Sequence, residues 1–382
     1  MVSQLRIIMR KVSSERGIAL LATMLAIAMM TIIVIDFTSS SAMGYLSAAN
    51  HANEIRAEYL ARSAINVGLA LIAQDTRTQL AQQQSNPSSL GGQGQSFDSF
   101  FSVWALPFPP MPVNGGRVQL TVVDEARKFN INSLINTMQI NGLTPTQPGS
   151  QPTPLGTAPP VGASPYGTGP SVGQPNANGP SAIGQINANA VMQLTRLVML
   201  LGISPAIIPP IVDWLDPDSI ESQGGAEADY YMRLMPPYEP RNGPMPTLGD
   251  LRLIKGMDDA TFMKLRNYLT VAPEPAVNVN TASPEVIACL DQSLSDNPKI
   301  VQQIIEARSI RPFTNTNDVF NLIGGAASQG TSQGGLNKTL TVRSTYFSIT
   351  GVGSYAGARR LVYATFRRNG DGTGSLSSWQ EE

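Results

Sequence analysis

The sequence is poor in the residues that most enzyme chemistry needs. Among 382 residues there is one cysteine, Cys289, and one histidine, His51. A lone cysteine excludes a disulfide within the chain, and it neither requires nor excludes an oxidising compartment. A lone histidine argues against a His-dependent triad, a multi-histidine zinc site and a paired-histidine acid–base device. Charged residues make up only 14% of the chain and the net charge is −1. There is thus no basic footprint for nucleic acid and no strong field to steer a charged partner. Between Lys128 and Arg196 no side chain is charged at all. In place of these residues stand 34 glycines and 29 prolines. That composition suits an extracytoplasmic protein with long loops, and the length allows two or three domains.

The N-terminus carries the strongest signal. Arg6, Arg10, Lys11 and Arg16 precede Gly17, and an uncharged run from Ile18 to Ile35 follows, broken only by Thr23 and Thr31. At 1.5 Å per residue this run gives roughly 27 Å of helix, enough to cross a hydrocarbon core. The basic flank predicts a cytoplasmic N-terminus with the rest of the chain outside. The small residues Ser39–Gly44 would suit a cleavable secretory signal, but the apolar run exceeds the usual length of such a segment. The helical pattern also continues: Ile55, Tyr59, Ile65, Leu69 and Ile72 recur at near-helical spacing. One helix from about Ile18 to about Gln74 is predicted, half in lipid and half amphipathic. A basic leader ending in glycine, an apolar half-helix and an amphipathic continuation together resemble the type IV pilin class. The resemblance implies cleavage by a prepilin peptidase between Gly17 and Ile18. That class usually has glutamate at the fifth mature position, and here Ala22 stands there. A carboxylate in lipid is expensive unless paired. A subunit without one has no such need of a predecessor and could be the first in a filament. A plain single-span anchor is the alternative.

Downstream, Ala81–Ser96 reads as a polar linker. Phe100–Phe108 and Arg117–Glu125 read as strands, the second with Val118, Leu120 and Val122 on one face. Residues 141–187 are rich in Pro, Gly, Ser, Thr, Asn and Gln and cannot bury enough apolar surface to offset ordering, so disorder is expected there. Helical patterns then run from Ile186, with Gly202 as a stop and a start at Thr281 or Ser283 before Pro284. Gly324–Gly335 reads as a loop. The residues 336–368 read as strands with a hairpin at Ala356–Gly357, and 369–382 as a loose tail. The predicted fold class is α+β: a long N-terminal helix on a small antiparallel sheet (76–130 and 336–368), with an α-helical domain inserted at 131–335.

Six carboxylates crowd Asp213–Asp229: Asp213, Asp216, Asp218, Glu221, Glu227 and Asp229, with no base among them. They must be solvated or bridged by a cation. The all-oxygen donor set on a glycine-containing loop suits Ca²⁺ better than Zn²⁺ or Mg²⁺. The spacing is not that of an EF-hand. Both a solvated acidic loop and a cation site fit the residues. Further on, residues 276–324 resemble a helix–hairpin–helix (SAM-like) module. Its expected hairpin, "DQSLSDNP", has no glycine and two acids, which argues against phosphate binding and so against a DNA-binding role.

Five stretches resemble, in order, the K-class minor pseudopilins of type II secretion systems. They are "VVDEARKFNIN" (122–132), "IVDWLDPD" (211–218), "GAEADYY" (225–231), "VNVNTASPEVI" (277–287) and "STYFSITGVG" with "RRLVYATFRR" (344–368). The absent membrane glutamate agrees with this class. The resemblance implies a non-enzymatic cap at the tip of a secretion pseudopilus. It implies partnership with I-class and J-class minor pseudopilins, the major pseudopilin and inner-membrane lipid, and no nucleic-acid partner. It also implies calcium in the α domain, for which Asp216, Asp218, Glu227 and Asp229 are the expected ligands, with Asp213 a helix-end partner. A minor pilin of a type IV pilus-related machine is the alternative. A membrane-anchored hydrolase has no histidine partners to work with.

Overall fold

The structure is a computed structural model and describes residues 2–85, 96–136, 185–323 and 332–382. In chain order its first elements are α1 (Val2–Ser85), β1 (Met111–Val113), β2 (Gly116–Asp124), β3 (Phe129–Asn130), α2 (Ala188–Leu200), α3 (Ile208–Leu215) and α4 (Ala228–Tyr231). Then come α5 (Asp259–Leu265), β4 (Leu269–Thr270), β5 (Val277–Asn278), α6 (Pro284–Cys289), α7 (Gln292–Asp296), α8 (Pro298–Ile310) and α9 (Thr316–Ile323). The chain ends with α10 (Ser332–Thr339), β6 (Leu340–Thr341), β7 (Tyr346–Tyr355), β8 (Ala358–Arg368) and β9 (Gly374–Glu381). Two compact units result. One comprises Met1–Gln82, Ser102–Val123 and Phe347–Glu382, the other Gln83–Phe101 and Asp124–Tyr346.

The first unit is the expected helix on a sheet. The strand order is β1-β2-β7-β8-β9, with β1–β2 and β8–β9 antiparallel. α1 is continuous through Gly17–Ile18 and runs past the expected end near Gln74 to Ser85, taking in the start of the expected linker. Its lower half buries Ala57, Ala61, Ala64, Ile65 and Ile72 against Val118, Leu120, Phe347, Ile349 and Val362. Small residues set the approach. A Cβ on Gly353 would collide with the Ala57 carbonyl, and one on Gly351 with that of Ala61. The hairpin turns at Ala356 (φ 47°) and Gly357 (φ 89°), the two left-handed residues that match strand twist. β2 alternates as expected, with Val118 and Leu120 buried and Val122 half-buried.

Two expectations for this unit need correction. The stretch 100–108 is not a strand. It makes a 3-10 turn at Val103–Ala105 that seats Trp104 edge-on against Phe347 at 5.1 Å, and prolines at 107, 109 and 110 cannot donate to a ladder. The residues 369–382 are not a loose tail. Gly372 (φ 83°) turns the chain, and β9 pairs with β8 from Arg368↔Gly374 to Val362↔Glu381. Arg62 of α1 also grips the Glu381 carboxylate at 2.9 and 3.0 Å.

The second unit is the inserted, mainly helical domain. Its core runs from Phe129 and Ile131 through Leu194, Leu197, Ile211, Leu215, Tyr231 and Leu251 to Val286, Ile304 and Val342. Two short parallel pairs, β3–β4 and β5–β6, tie distant segments. They also shift the boundaries. The unit begins at Asp124 and ends at Tyr346, and it takes in 83–101, because β6 pairs with β5 and Asp98 N–H donates to Val342 O at 2.8 Å. The disordered insertion expected at 141–187 lies mostly outside the described residues. Residues 185–187 are ordered by an antiparallel bridge, Ile135↔Ile186, and Asn187 caps α2. Of the loop expected at 324–335, Ser332–Gly335 belong to α10 and the rest lies outside the described residues. The start left open between Thr281 and Ser283 falls to Ser283, whose hydroxyl accepts from Val286 N–H above Pro284. In the helix–hairpin–helix-like stretch, the connector between α6 and α8 is itself the short helix α7, capped by Asp291. One arginine there faces inward: Arg308 donates to the Val279 carbonyl at 2.6 Å, while Arg311 is exposed.

Buried acids join the segments where the chain enters and leaves this unit. Asp124 accepts from Asn278 Nδ2 and Thr281 Oγ, and Glu274 accepts from the main-chain N–H groups of Thr345 and Tyr346. Burial pushes Asp124 up to about 6 and Glu274 up to about 7, although these hydrogen bonds pull the other way. Both groups hold protons more tightly folded than unfolded. Their favourable contribution is therefore complete below about pH 4, is lost as pH rises to about 7, and is flat beyond. Glu274→Gln keeps the accepting oxygen and removes the titration. The fall in melting temperature between about pH 5 and about pH 8 should be smaller in the variant than in the wild type, and equal falls would refute the assignment. Gly353→Ala should destabilise the helix-on-sheet unit by about 1–3 kcal/mol, read from thermal unfolding of the full chain in detergent.

Candidate metal centre

The acidic loop is built from the end of α3. Pro217 disfavours helical backbone for the residue before it, so α3 stops and Asp216 is extended (φ −76°, ψ 154°). One turn back, Asp213 is fully buried, and its carboxylate accepts from the main-chain N–H groups of Ser222 (3.1 Å) and Ala226 (2.8 Å). That carboxylate folds the loop back on the helix. Gly225 is required at this point, because any Cβ there would strike the Asp213 carboxylate. Lys255 closes the outer side, donating to the Gly225 carbonyl at 2.7 Å with its ammonium 5.0 Å from the centre of the Tyr230 ring. Beneath, Tyr231 packs edge-on against Trp214 at 5.3 Å.

This path brings together one oxygen each from Asp216, Asp218 and Glu227, all within 4.8 Å of one another. Three of the four expected ligands therefore converge. The fourth, Asp229, does not join them: it is exposed in the first turn of α4, whereas Glu227 is the residue before that helix. Asp213 is the helix-end organiser rather than a member of the group, as expected.

The electrostatics of the three are unfavourable as they stand. Asp216 and Glu227 are only 3% and 5% exposed. Asp216 Oδ1 and both Glu227 carboxylate oxygens have no hydrogen-bond partner. Burial pushes Asp216 up to about 6 and Glu227 up to about 7, and the neighbouring charges of Asp213 and Asp218 push the same way. No lysine or arginine forms an ion pair with any of the three among the described residues. Enclosed carboxylate oxygens without a donor or counter-charge, as on Asp216 and Glu227, call for a cation or for protons. Hard oxygen donors on an irregular loop fit Ca²⁺.

One neighbouring residue was not legible beforehand. Asn242 donates its side-chain amide to the Asp218 carbonyl at 2.8 Å, but in the sequence it stands in an ordinary Asn-Gly turn signal thirteen positions beyond the acidic run. Only the Pro-flanked setting "EPRNGPMP" hinted at a fixed loop.

The other candidate positions lie on α1. Gly17 and Ile18 sit in unbroken helix, and the large apolar side chains from Ile18 to Phe37 are exposed. The helix has an 18-residue window of mean hydropathy 2.8 and is long and apolar enough to cross a membrane.

Comparisons with known proteins agree with this architecture. Two family models, both described as type II secretion system (T2SS), protein K, match residues 127–274 and 277–343, together more than half of the chain. Type II secretion system protein K of Pseudomonas aeruginosa is 23% identical over 94% of this chain and 90% of its own length. Its counterpart from Klebsiella pneumoniae is 26% identical over 88% and 87%. Among solved structures, a chain in the GspK-GspI-GspJ complex from the enterotoxigenic Escherichia coli type 2 secretion system aligns with a TM-score of 0.62 at 17% identity. The alignment covers 88% of this chain and 99% of that one, and it supports the same pilin-like α+β fold. The chain belongs to the type II secretion system protein K family, the minor pseudopilins of that machine.

Proposed function

We propose that this subunit sits at the tip of the pseudopilus and starts its assembly, thereby contributing to export of folded proteins across the outer membrane. The observation that carries the reading is the pairing of a pilin-like unit with a second, larger folded unit inserted between β2 and β7. In a shaft of stacked subunits every level would have to accommodate that extra unit, whereas an end has to accommodate it once. Ala22 in place of a membrane carboxylate supports the same position, since it leaves no buried charge in need of a preceding subunit.

The subunit is made as an inner-membrane protein with a periplasmic head, its leader is removed between Gly17 and Ile18, and the freed helix then leaves the bilayer for the filament. Its partners are I-class and J-class minor pseudopilins, in keeping with the complex named for the structural neighbour, and the major pseudopilin below them. The role is structural, without catalysis. Asp216, Asp218 and Glu227 hold a calcium ion that fixes the loop after α3, the convergence of partnerless oxygens being the support for it.

Two experiments test these statements. N-terminal sequencing of mature protein extracted from membranes should begin at Ile18. A start near Gly44 or Tyr45 would mean a secretory signal and would rule out a filament subunit, and an intact Met1 would mean a plain anchor. Calcium at about a hundred times its Kd should stabilise the full chain in detergent by about 2.7 kcal/mol, seen as a higher melting temperature. Asp218→Ala should abolish that rise, and identical melting in calcium and in chelator would end the metal reading.

A further inference from the structure

Two arginines from distant parts of the second unit converge on one ring. Arg127 Cζ lies 5.6 Å and Arg308 Cζ 5.9 Å from the centre of the Phe100 ring. Neither arginine forms an ion pair among the described residues. Arg308 is anchored by its bond to the Val279 carbonyl, whereas the Arg127 guanidinium has no hydrogen-bond partner among those residues. Burial and the charge of Arg127 push Arg308 down to about 10, as expected of half-buried cations held together without a counter-charge.

The acids nearest in sequence are committed elsewhere. Asp98 accepts from Ser344 N–H, Asp124 from Asn278 and Thr281, and Glu125 from Lys128 and Thr270. Glu306, two residues before Arg308, accepts from Gln302. The internal segments outside the described residues, 86–95, 137–184 and 324–331, contain no Asp or Glu. The head therefore offers these two cations no carboxylate of its own.

We propose that Arg127 and Arg308, with Phe100 and Phe101, form a docking spot for another protein, receiving a carboxylate side chain that stands beside an apolar one. Phe100 and Phe101 are 47% and 60% exposed. They are presented by a fixed turn, in which Phe101 N–H donates to the hydroxyl of buried Ser99 at 3.1 Å. Aromatic rings beside arginine are the composition of a protein interface core. The guanidinium fork matches a carboxylate in shape, and partial burial strengthens the pairing. A phosphate surface fits less well. Nucleic acids and anionic lipids are gripped by rows of cations, whereas this spot is built on two and the chain carries a net charge of −1. The spot lies within the second unit and needs neither a cation on the acidic loop nor a place at the tip.

The test is photocross-linking in cells that carry the full chain and its secretion machine, with p-benzoylphenylalanine in place of Phe101. An adduct with another protein should form, and its cross-linked peptide should carry Asp or Glu beside an apolar residue. Arg127→Gln should lower the yield of that adduct at least ~10-fold. Replacing the acid of the cross-linked peptide by its amide should lower the yield as much, and the two changes together should cost no more than either alone. An adduct with a segment that has no acid, with lipid or nucleic acid, or within the same molecule would overturn the proposal. So would the absence of an adduct, or a yield that Arg127→Gln leaves unchanged. Thermal unfolding of the full chain in detergent separates docking from folding. Arg127 gives the fold no hydrogen bond and crowds Arg308, so Arg127→Gln should melt within about 5 °C of the wild type. A larger fall would make the arginine part of the fold and overturn its docking role.

Discussion

A domain can be inserted between two neighbouring strands only if its entry and exit are held about one strand spacing apart, roughly 4.8 Å. Here β2 and β7 are neighbours, and the chain leaves β2 at Asp124 and rejoins at Tyr346. A single buried amide supplies the tie. Asn278 Nδ2 lies within hydrogen-bond distance of Asp124 Oδ2 (3.1 Å), Ser344 Oγ (2.9 Å) and the Asp98 carbonyl (3.2 Å). Residues beside three of the four points where the chain passes from one unit to the other thus meet at one side chain. Thr281 adds its hydroxyl to Asp124, and Asp98 accepts from Ser344 N–H. The arrangement explains why acids are tolerated in the interior. Each carboxylate is held by donors from a different segment, so the polar groups specify which segments meet as well as offsetting their own burial.

The acidic loop follows the opposite logic. Asp213 is satisfied by two main-chain N–H groups and shapes the loop, while Asp216 Oδ1 and both Glu227 carboxylate oxygens are enclosed yet left without a donor. Folding alone would not gather unpaired acids in this way, because a solvated loop could spread them into water at no cost. The fold of the second unit therefore includes a spot that is unfavourable until something positive, whether metal or proton, occupies it. Asp213 is the residue that makes this possible. Without it the loop has no reason to return to α3, and Gly225 no reason to be a glycine.

Much of this was legible in the sequence, and the failures have physical causes. The apolar run and its amphipathic continuation identify α1 because their periodicity is long and uninterrupted. The β7–β8 hairpin is legible from Ala356–Gly357 between alternating strands. Charge crowding marks the acidic stretch, and three of the four positions expected there do converge. β9 was missed because "GSLSSWQE" carries no strand pattern: every residue is exposed, and its strand character comes from the ladder with β8. The reverse error occurred at 100–108, where aromatic residues suggested a strand but the prolines and the burial of Trp104 demanded a turn. Asp229 was expected among the ligands by proximity in sequence. The start of α4 one residue after Glu227 turns it outward, a helix of four residues that no periodicity could reveal. Asn242 was invisible for the complementary reason: it reaches the site through tertiary packing from a separate loop.

The two halves of α1 are asymmetric in a way that bears on how such a subunit moves. The lower half is fixed by small residues on both sides, Ala57 and Ala61 against Gly351 and Gly353, so the head cannot slide along it. The upper half is exposed, with no cover from the described residues of its own chain. Leaving its leucines, isoleucines and methionines in water would forfeit about 1.5–3 kcal/mol for each large side chain, so some other surface has to cover it at every stage. On the route proposed above, lipid would do so at first. Transfer to a bundle of like helices changes the hydrophobic term little, because lipid tails and packed side chains are both apolar. Extraction of the helix is then governed by what else must change, chiefly charges in the run. With Ala22 where the pilin class has glutamate, and only Thr23 and Thr31 interrupting, both hydroxyls bonded back to helix carbonyls, no charge between Ile18 and Ile35 has to find a partner. On the proposed route the helix would therefore exchange lipid for protein neighbours without waiting for a subunit that matches it in charge.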